Sequence, residues 1–309
     1  MKRILITGVE GFIGSSLKDF FDENPRHYEA YGIDISLRKA AGMCFKGDIN
    51  DERFLRNIIK KIKPHYIFHL AGLTNKDDFC KLISVNVLAT RRLLETVLNL
   101  KNFKTRIIIP GSAAEYGEIP RGYMPVRENY VLQPINFYGL SKACQTLLAL
   151  SYFKKGLDVI VGRIFNISGW AAPRSFSIGE FAHTLSLIEK GLKKPVVETK
   201  GLNSKRDYLD IQDVCSALAA IAEKGKPGNI YNICSGECYK TKYALDYLIS
   251  LSALKGVKIK ASPASQPEIK SIVGSNKKIK EHTRWAPAIG IHESLKNTLD
   301  YYRQYELKR

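Results

Sequence analysis

The sequence predicts an α/β protein built on a doubly wound parallel sheet, with a smaller mixed α/β lobe beside it. Three observations carry this. Through residues 1–165, short apolar runs alternate with stretches of helical periodicity, which is the rhythm of βαβ units. The runs Tyr66-Ile-Phe-His-Leu, Ile107-Ile-Ile-Pro and Val159-Ile-Val-Gly are apolar without alternation, as strands covered on both faces are. Beyond about residue 165 the rhythm breaks into shorter pieces around Pro173, Pro195, Pro227, Pro263, Pro267 and Pro287.

The elements follow in order. Residues 3–7 read as a buried strand, and residues 12–22 as a helix with Phe12, Ile13, Leu17, Phe20 and Phe21 on its apolar side. Residues 31–35 form the second strand. Residues 52–62 form a helix marked by Phe54, Leu55, Ile58, Ile59 and Ile62, and Pro64 stops it. A strand is expected at 66–70, a long helix at 82–100, a strand at 106–110, a helix at 139–153 and a strand at 158–163. Helical pieces recur at 179–191, 211–223, 242–253 and 291–305, the last through Ile291, Leu295, Leu299 and Tyr302. Residues 1–165 are therefore expected to form a nucleotide-binding domain, with a return segment near 205–224. Residues 166–309 are expected to form the smaller lobe. No linker parts them, so they share a cleft.

Composition narrows the function. The chain has 309 residues, 45% hydrophobic and 25% charged, which excludes wholesale disorder and a small disulfide scaffold. The 48 basic residues against 30 acidic ones leave a net charge of +18, which favours anionic partners. The basic residues occur as scattered pairs such as Lys60/Lys61 and Lys277/Lys278. No nucleic-acid arm is expected; a phosphorylated small substrate is a candidate partner, and a Lys-rich solvated surface is the reading the scattered pairs favour. Cys44, Cys80, Cys144, Cys215, Cys234 and Cys238 show no CxxC spacing, so no metal site is expected. The opening residues read as a strand, not a signal peptide, and no apolar run reaches the roughly 18 residues that span a bilayer. No membrane partner is expected, and the expected location is the cytoplasm.

Thr7-Gly8-Val9-Glu10-Gly11-Phe12-Ile13-Gly14 follows a strand and opens a helix. Such a turn lets a pyrophosphate approach free backbone N–H groups at a helix N-terminus. It marks the first domain as Rossmann-type. Asp34 ends the second strand, 20 positions past Gly14. A carboxylate there accepts from the ribose hydroxyls and repels a 2′-phosphate, favouring NAD(H) over NADP(H). Arg38 and Lys39 nearby suit the phosphate instead, and Asp34 as a cap of the next turn is the structural alternative. Tyr138 and Lys142 lie at i and i+4, on one helix face. An ammonium one turn from a phenol is expected to lower the phenol's pKa and ready it for proton transfer to a carbinol oxygen. The strand at 106–110 runs into Gly111-Ser112, which puts Ser112 at the edge where open sheets bind ligands, and its hydroxyl suits a substrate carbonyl.

In this order, these motifs resemble the extended short-chain dehydrogenase/reductases that act on nucleotide sugars. The resemblance also rests on Gly47-Asp48-Ile49, His69-Leu70-Ala71-Gly72, Asn86, Gly111-Ser-Ala-Ala-Glu-Tyr-Gly117, Arg163-Ile-Phe-Asn166 and Lys205-Arg206-Asp207-Tyr208 with Asp213. It implies that Ser112, Tyr138 and Lys142 are catalytic. It implies that Gly8, Gly11, Phe12, Ile13, Gly14, Asp34, Ile35, Asp48, Ile49, Leu70, Ala71, Gly72 and Asn86, together with Tyr138 and Lys142, bind the cofactor. Ser112, Ala113, Asn166 and Arg206 are implied to bind substrate, the last two through its phosphates.

The reaction turns on two alanines. Family dehydratases carry acidic groups where this chain has Ala113 and Ala114, so dehydration is disfavoured. Glu115 is adjacent, but successive residues on an extended segment point apart. Reduction of a keto sugar and 4-epimerisation remain. The second half resembles GDP-4-dehydro-6-deoxy-D-mannose reductases through 224–236, 273–278 and 283–287. This implies a GDP-linked substrate and GDP-D-rhamnose as product. Gln266 stands where an arginine is usual, with Lys270 as the substitute cation. Asp34 and an NAD preference point instead to an epimerase. Phe176 and Phe181 either stack on a base or pack in the core. The resemblance implies a homodimer through 85–100 and 139–153, with Leu93, Val97, Leu147 and Leu150 at its interface.

Overall fold

The computed structural model describes residues 1–38, 42–74, 78–100, 103–262 and 269–305. Lys39, Pro263, Gln266 and Pro267 lie outside the described residues.

β1 (Lys2–Thr7) leads through the glycine turn into α1 (Phe12–Asp22), and β2 (Tyr28–Asp34) and β3 (Cys44–Lys46) follow. Then come α2 (Glu52–Ile62), β4 (Tyr66–His69), α3 (Phe79–Leu82), a π-helical turn (Ile83–Leu88) and α4 (Ala89–Leu98). β5 (Arg106–Ser112), α5 (Phe137–Lys154) and β6 (Asp158–Ile164) complete the alternating part. β3 is too short to leave a pattern in the sequence. The helix expected at 82–100 begins earlier, at Phe79, and contains the π-helical turn around Asn86.

Local chemistry sets these boundaries. Asp51 caps α2 by accepting from Phe54 N, Glu52 sits in its first turn, and Lys60 and Lys61 sit in its last. These charges oppose the helix dipole at both ends. The helix stops at Lys63, which is left-handed at φ 49° just before Pro64.

The sheet runs β11 (Ile230–Ile233, from the second half), β6, β5, β4, β1, β2, β3 in space, all parallel. The order reverses at β1, which lies between β2 and β4. A ligand crevice opens there, beyond the carboxyl ends of the strands. Alternate side chains of one strand enter different cores. Ile4, Ile6, Phe68, Ile108 and Ile160 face one side with Leu17 and Phe21 of α1. Leu5, Ile67, Ile107, Ile109, Val159 and Val161 face the other with Leu55, Ile59, Leu93 and Val97. Burial on both faces is why these strands read as continuous apolar runs.

The second half supplies β7 (Asn166–Ser168), α6 (Ser177–Glu189), β8 (Val196–Lys200), β9 (Lys205–Arg206), β10 (Tyr208–Asp210) and α7 (Ile211–Lys224). β11 (Ile230–Ile233), β12 (Tyr239–Lys240), α8 (Thr241–Leu251), β13 (Lys258–Ser262), α9 (Lys277–Thr283) and α10 (Ile291–Tyr305) follow. α7 packs beside α1, and β11 pairs with β6. The return to the main sheet thus runs through 211–233, further than the stretch expected from sequence. α6, α8 and α10 pack together over a separate core that includes Phe181, Leu185, Leu245 and Leu299.

One buried ion pair ties the sheet to the segment after β5. Arg163 Nη2 and Nε donate to Glu115 Oε2 at 2.8 and 3.0 Å. Thr146 Oγ1 donates to the same oxygen at 3.0 Å. Glu115 Oε1 accepts from Ser112 N at 2.7 Å. Arg163 Nη1 donates to the Tyr116 hydroxyl at 2.8 Å, and that hydroxyl donates to Asn232 Oδ1 at 2.8 Å. Among the described residues, no helix is long and apolar enough to cross a membrane.

Removing one partner of such a pair strands a buried charge. Arg163→Met is therefore expected to cost about 3–5 kcal/mol, read as a lower midpoint in urea unfolding. The Glu115→Gln/Arg163→Met double variant is expected to regain part of that loss, because no uncompensated charge remains. A single variant as stable as the parent contradicts this account.

Candidate active site

A cleft of about 430 Å³ opens between the sheet and the second-half elements. Ile13, Leu70 and Gly72 line it near the switch point, Ser112, Tyr138 and Lys142 line its middle, and Asn166, Lys200 and Arg206 line the far side.

The glycine turn is built by close backbone approach. Gly8 has φ +74°, and a Cβ on it would lie 2.6 Å from Ala71 N. A Cβ on Gly14 would lie 2.0 Å from Gly8 O. Gly11 precedes α1 with no side-chain cap on the helix, so the first N–H groups of α1 are left for an anion. This cradle fits the pyrophosphate of a dinucleotide. Phe12 meets Phe176 edge-on at 6.0 Å, which links the turn to the far wall.

Asp34 sits against that turn. Its Oδ2 accepts from Glu10 N at 3.0 Å, and its Oδ1 accepts from Ser36 N and Oγ at 2.9 and 2.7 Å. The carboxylate therefore caps the next turn and borders the cofactor cradle at once. Ile35 beside it is 64% exposed. Asp48 is exposed and accepts from Asn50 N at 2.8 Å, while Ile49 is buried in the core. Ala71 N donates to Thr7 Oγ1 at 3.2 Å, which holds the Leu70–Ala71–Gly72 loop against β1.

Asn86 is engaged by protein groups. Its Oδ1 accepts from Leu73 N at 2.8 Å, and its Nδ2 donates to Leu73 O and Ser141 Oγ, both at 3.0 Å. The π-helical turn points this amide at the loop and at α5 together. Asn86 thus ties the loop at Leu73 to α5, and its amide is taken up by protein groups.

Asn136 caps α5 by accepting from Gly139 N at 2.8 Å, so the first turn of α5 enters the cleft carrying Tyr138. Tyr138 is half-buried as a residue, but its phenol group is enclosed and hydrogen-bonded to the Ser112 side chain. Burial pushes its pKa up, the Ser112 bond opposes this, and the Glu115 charge adds to it. The expected lowering by Lys142 is not what the structure shows. Lys142 is also buried, and its ammonium donates to Gln145 Oε1, further along α5. Burial pushes Lys142 down to about 8, with Glu115 opposing. Desolvation outweighs the i,i+4 pairing for both groups.

Ala113 and Ala114 line the cleft beside Ser112, while Glu115 turns away into its pair with Arg163. Asn166 and Arg206 are both half-buried on the far wall. Asp207 anchors this wall, accepting from Ser235 N and Oγ, Gly236 N and Gly274 N at 2.7–3.1 Å. Lys270 does not reach the cleft. It is exposed, its backbone N is held by Glu118 Oε2 at 2.9 Å, and its neighbours Ile269 and Ile272 line the wall instead. Phe176 lines the cleft, whereas Phe181 is a core residue at 2% exposure.

Sequence reasoning missed Lys200, Ser204 and Thr241 on the far wall, where Tyr208 of the Lys205–Tyr208 motif joins them. They come from separate short strands and helix starts, with no spacing pattern to mark them. It also missed His69, Thr90 and Gln145 as a connected group behind Lys142. Among the described residues, no cluster of three His, Cys, Asp or Glu is placed to hold a metal.

The sequence matches the GDP-mannose 4,6 dehydratase family over residues 5–298. It is 28% identical over 306 residues to GDP-6-deoxy-D-mannose reductase of Pseudomonas aeruginosa, covering 96% of each chain. It is 29% identical over 243 residues to UDP-glucose 4-epimerase of Mycoplasma genitalium, covering 70% of this chain and 69% of that one. The fold superposes on RMD from Pseudomonas aeruginosa complexed with NADPH with a TM-score of 0.87 and 26% identity, covering 98% of this chain and 99% of that chain. These likenesses and the glycine cradle support a nicotinamide dinucleotide as the cofactor.

Gly14→Ala tests the cradle. Its Cβ would displace the Gly8 carbonyl, so dinucleotide binding is expected to weaken about 100-fold, or about 2.7 kcal/mol. Fluorescence titration with NADH and NADPH reads this, and unchanged affinity for both removes the cradle from the cofactor site.

Proposed function

Because the chain belongs to the GDP-mannose 4,6-dehydratase family, within the extended short-chain dehydrogenase/reductases, we propose that it reduces the C4 keto group of a nucleotide-linked 4-keto-6-deoxyhexose. The proposed substrate is GDP-4-dehydro-6-deoxy-D-mannose and the product GDP-D-rhamnose. The observation that carries this reading is the pair Ala113 and Ala114 on the cleft wall beside Ser112 and Tyr138. Elimination of water needs a proton donor and acceptor at the sugar, and two methyl groups supply neither. Hydride transfer with proton transfer to one oxygen needs only the groups present.

When bound, the reduced nicotinamide supplies the hydride for C4. Ser112 donates a hydrogen bond to the carbonyl oxygen. Tyr138 transfers its phenolic proton to that oxygen as the carbonyl becomes an alcohol, and it recovers a proton from solvent afterwards. Burial favours the protonated phenol, which is the form a reductase needs at rest. Lys142 supplies positive charge beside the phenolate that forms and a donor for the ribose. Arg206 and Asn166 hold the diphosphate, and Lys200 adds a second cation on the same wall.

Asp34 supports NAD(H) over NADP(H), since its carboxylate borders the place for the ribose. The same observation favours the second reading, a 4-epimerase that keeps NAD bound through its cycle. We also propose a homodimer, though not through all four leucine and valine residues expected from sequence. Leu93 and Val97 are core residues at 0% and 3% exposure. Phe137, Leu140 and Leu147 are exposed along α5, with Leu88 and Phe79 nearby on the adjoining helices. Phe79 and Phe137 meet at 5.1 Å. This apolar face suits a second copy of itself.

Consumption of nicotinamide absorbance with GDP-4-dehydro-6-deoxy-D-mannose, run separately with NADH and NADPH, tests the reaction and the cofactor preference. Tyr138→Phe is expected to lose about 10²–10⁴-fold in turnover with cofactor affinity nearly intact, and undiminished turnover would exclude its role. No consumption, with NAD(H) recovered from denatured enzyme, moves the assignment to the epimerase. For the dimer, Leu147→Glu is expected to sediment as a monomer. A parent protein that is itself monomeric refutes the interface.

A further inference from the structure

A buried polar chain runs behind the cleft from the glycine turn to Lys142, and its hydrogen directions can be assigned. Thr90 Oγ1 donates its one proton to the Asn86 carbonyl at 2.7 Å. At its 3.0 Å contact with His69 Nε2 it must therefore accept, so His69 carries its proton on Nε2. His69 Nδ1 is then an acceptor, and Thr7 Oγ1 donates to it at 2.9 Å. Gln145 Nε2 donates to the same Thr90 oxygen at 2.7 Å. With its N–H group turned to Thr90, the Gln145 amide presents Oε1 to Lys142, whose ammonium donates to it. His69, Thr90, Gln145 and Lys142 are all buried.

We propose that Gln145 is a positioning residue for Lys142: its carboxamide, oriented by Thr90, holds the ammonium at the cleft through an uncharged acceptor. The charge of Lys142 is thereby fixed in place without being neutralised. This rests on the reading that Lys142 serves the chemistry at Tyr138.

A neutral acceptor matters because of what else surrounds Lys142. From the turn after β5, Glu115 acts on it, but Glu115 is already paired with Arg163 of β6. From β4, His69 faces it. Burial holds His69 down at about 3, so it stays neutral over the working range. From α5 itself comes Tyr138. Among the described residues, then, no carboxylate is committed to Lys142. A carboxylate at position 145 would cancel its field towards Tyr138 and the ligand. An apolar side chain there would leave a buried ammonium without its acceptor.

The test measures Lys142 directly and needs no substrate. Full-length protein is trace-acetylated across a pH series, and the Lys142 peptide is quantified by mass spectrometry. The midpoint for the parent is expected near 8. Gln145→Glu is expected to raise it by about 1–3 pH units, the effect of a new opposite charge at contact distance. Gln145→Leu is expected to lower it. Thr90→Val, which frees the amide but keeps Gln145, is expected to lower it too. Thermal melts identify the folded variants. The alkaline limb of kcat/KM is expected to move with the midpoint, which a merely structural role would not produce. Folded variants whose midpoints coincide with the parent overturn the proposal. Shifted midpoints without turnover of the GDP-keto sugar keep the proposal and reject the substrate. Turnover with coincident midpoints does the reverse.

Discussion

The buried pair of Glu115 and Arg163 is the constraint on which the active-site end of the sheet depends. β5 must stop where its last residue, Ser112, can face a ligand. Glu115 accepts from the Ser112 backbone, and the same carboxylate is held by Arg163 on β6 and Thr146 on α5. One carboxylate thus fixes the cleft end of β5, the neighbouring strand and the helix that carries Tyr138. Tyr116 and Asn232 extend the network to β11, so the strand that returns from the second half is fastened at the same place. A buried pair is seldom a net source of stability, because desolvation offsets the attraction. Here its consequence is geometric: three elements meet at one carboxylate.

The same pair sets the electrostatics next door. Glu115 raises the pKa of both Tyr138 and Lys142. Burial acts oppositely on the two, keeping the phenol protonated and easing the ammonium towards neutrality. The site at rest is a proton donor beside a buried ammonium that donates to Gln145. A ligand that brings a carbonyl oxygen and a ribose into the cleft changes both environments at once. Preorganisation therefore lies in the surrounding shell of Asn86, Gln145, Thr90 and Glu115, and less in a strong Tyr138–Lys142 contact.

Much of the fold was legible from residue pattern. α1 and α2 fall where the apolar spacing and Pro64 predict, and β4, β5 and β6 fall close to their apolar runs. The motif residues Ser112, Tyr138, Asn166 and Arg206 come together on one cleft. The rest was illegible for physical reasons. β3, β7, β9, β10 and β12 are two or three residues long, shorter than any detectable period. The π-helical turn at Asn86 leaves the apolar pattern of the helix almost unchanged. Leu93 and Val97 lie on an apolar helix face, which sequence cannot assign to a sheet or to a partner.

Sequence by itself determined the βαβ order, the glycine turn, the place of the ligand crevice and the residue types that carry the chemistry. Those follow from local rules: backbone space at glycine, side-chain periodicity and the chemistry of each functional group. Only the tertiary structure decided how those groups are charged and held. The direction of the Tyr138 shift, the turning of the Gln145 amide by Thr90, the occupation of the Asn86 amide and the place of Lys270 outside the cleft all depend on residues distant in the chain. Desolvation and hydrogen-bond partners are properties of the packed interior, and spacing along one helix does not contain them.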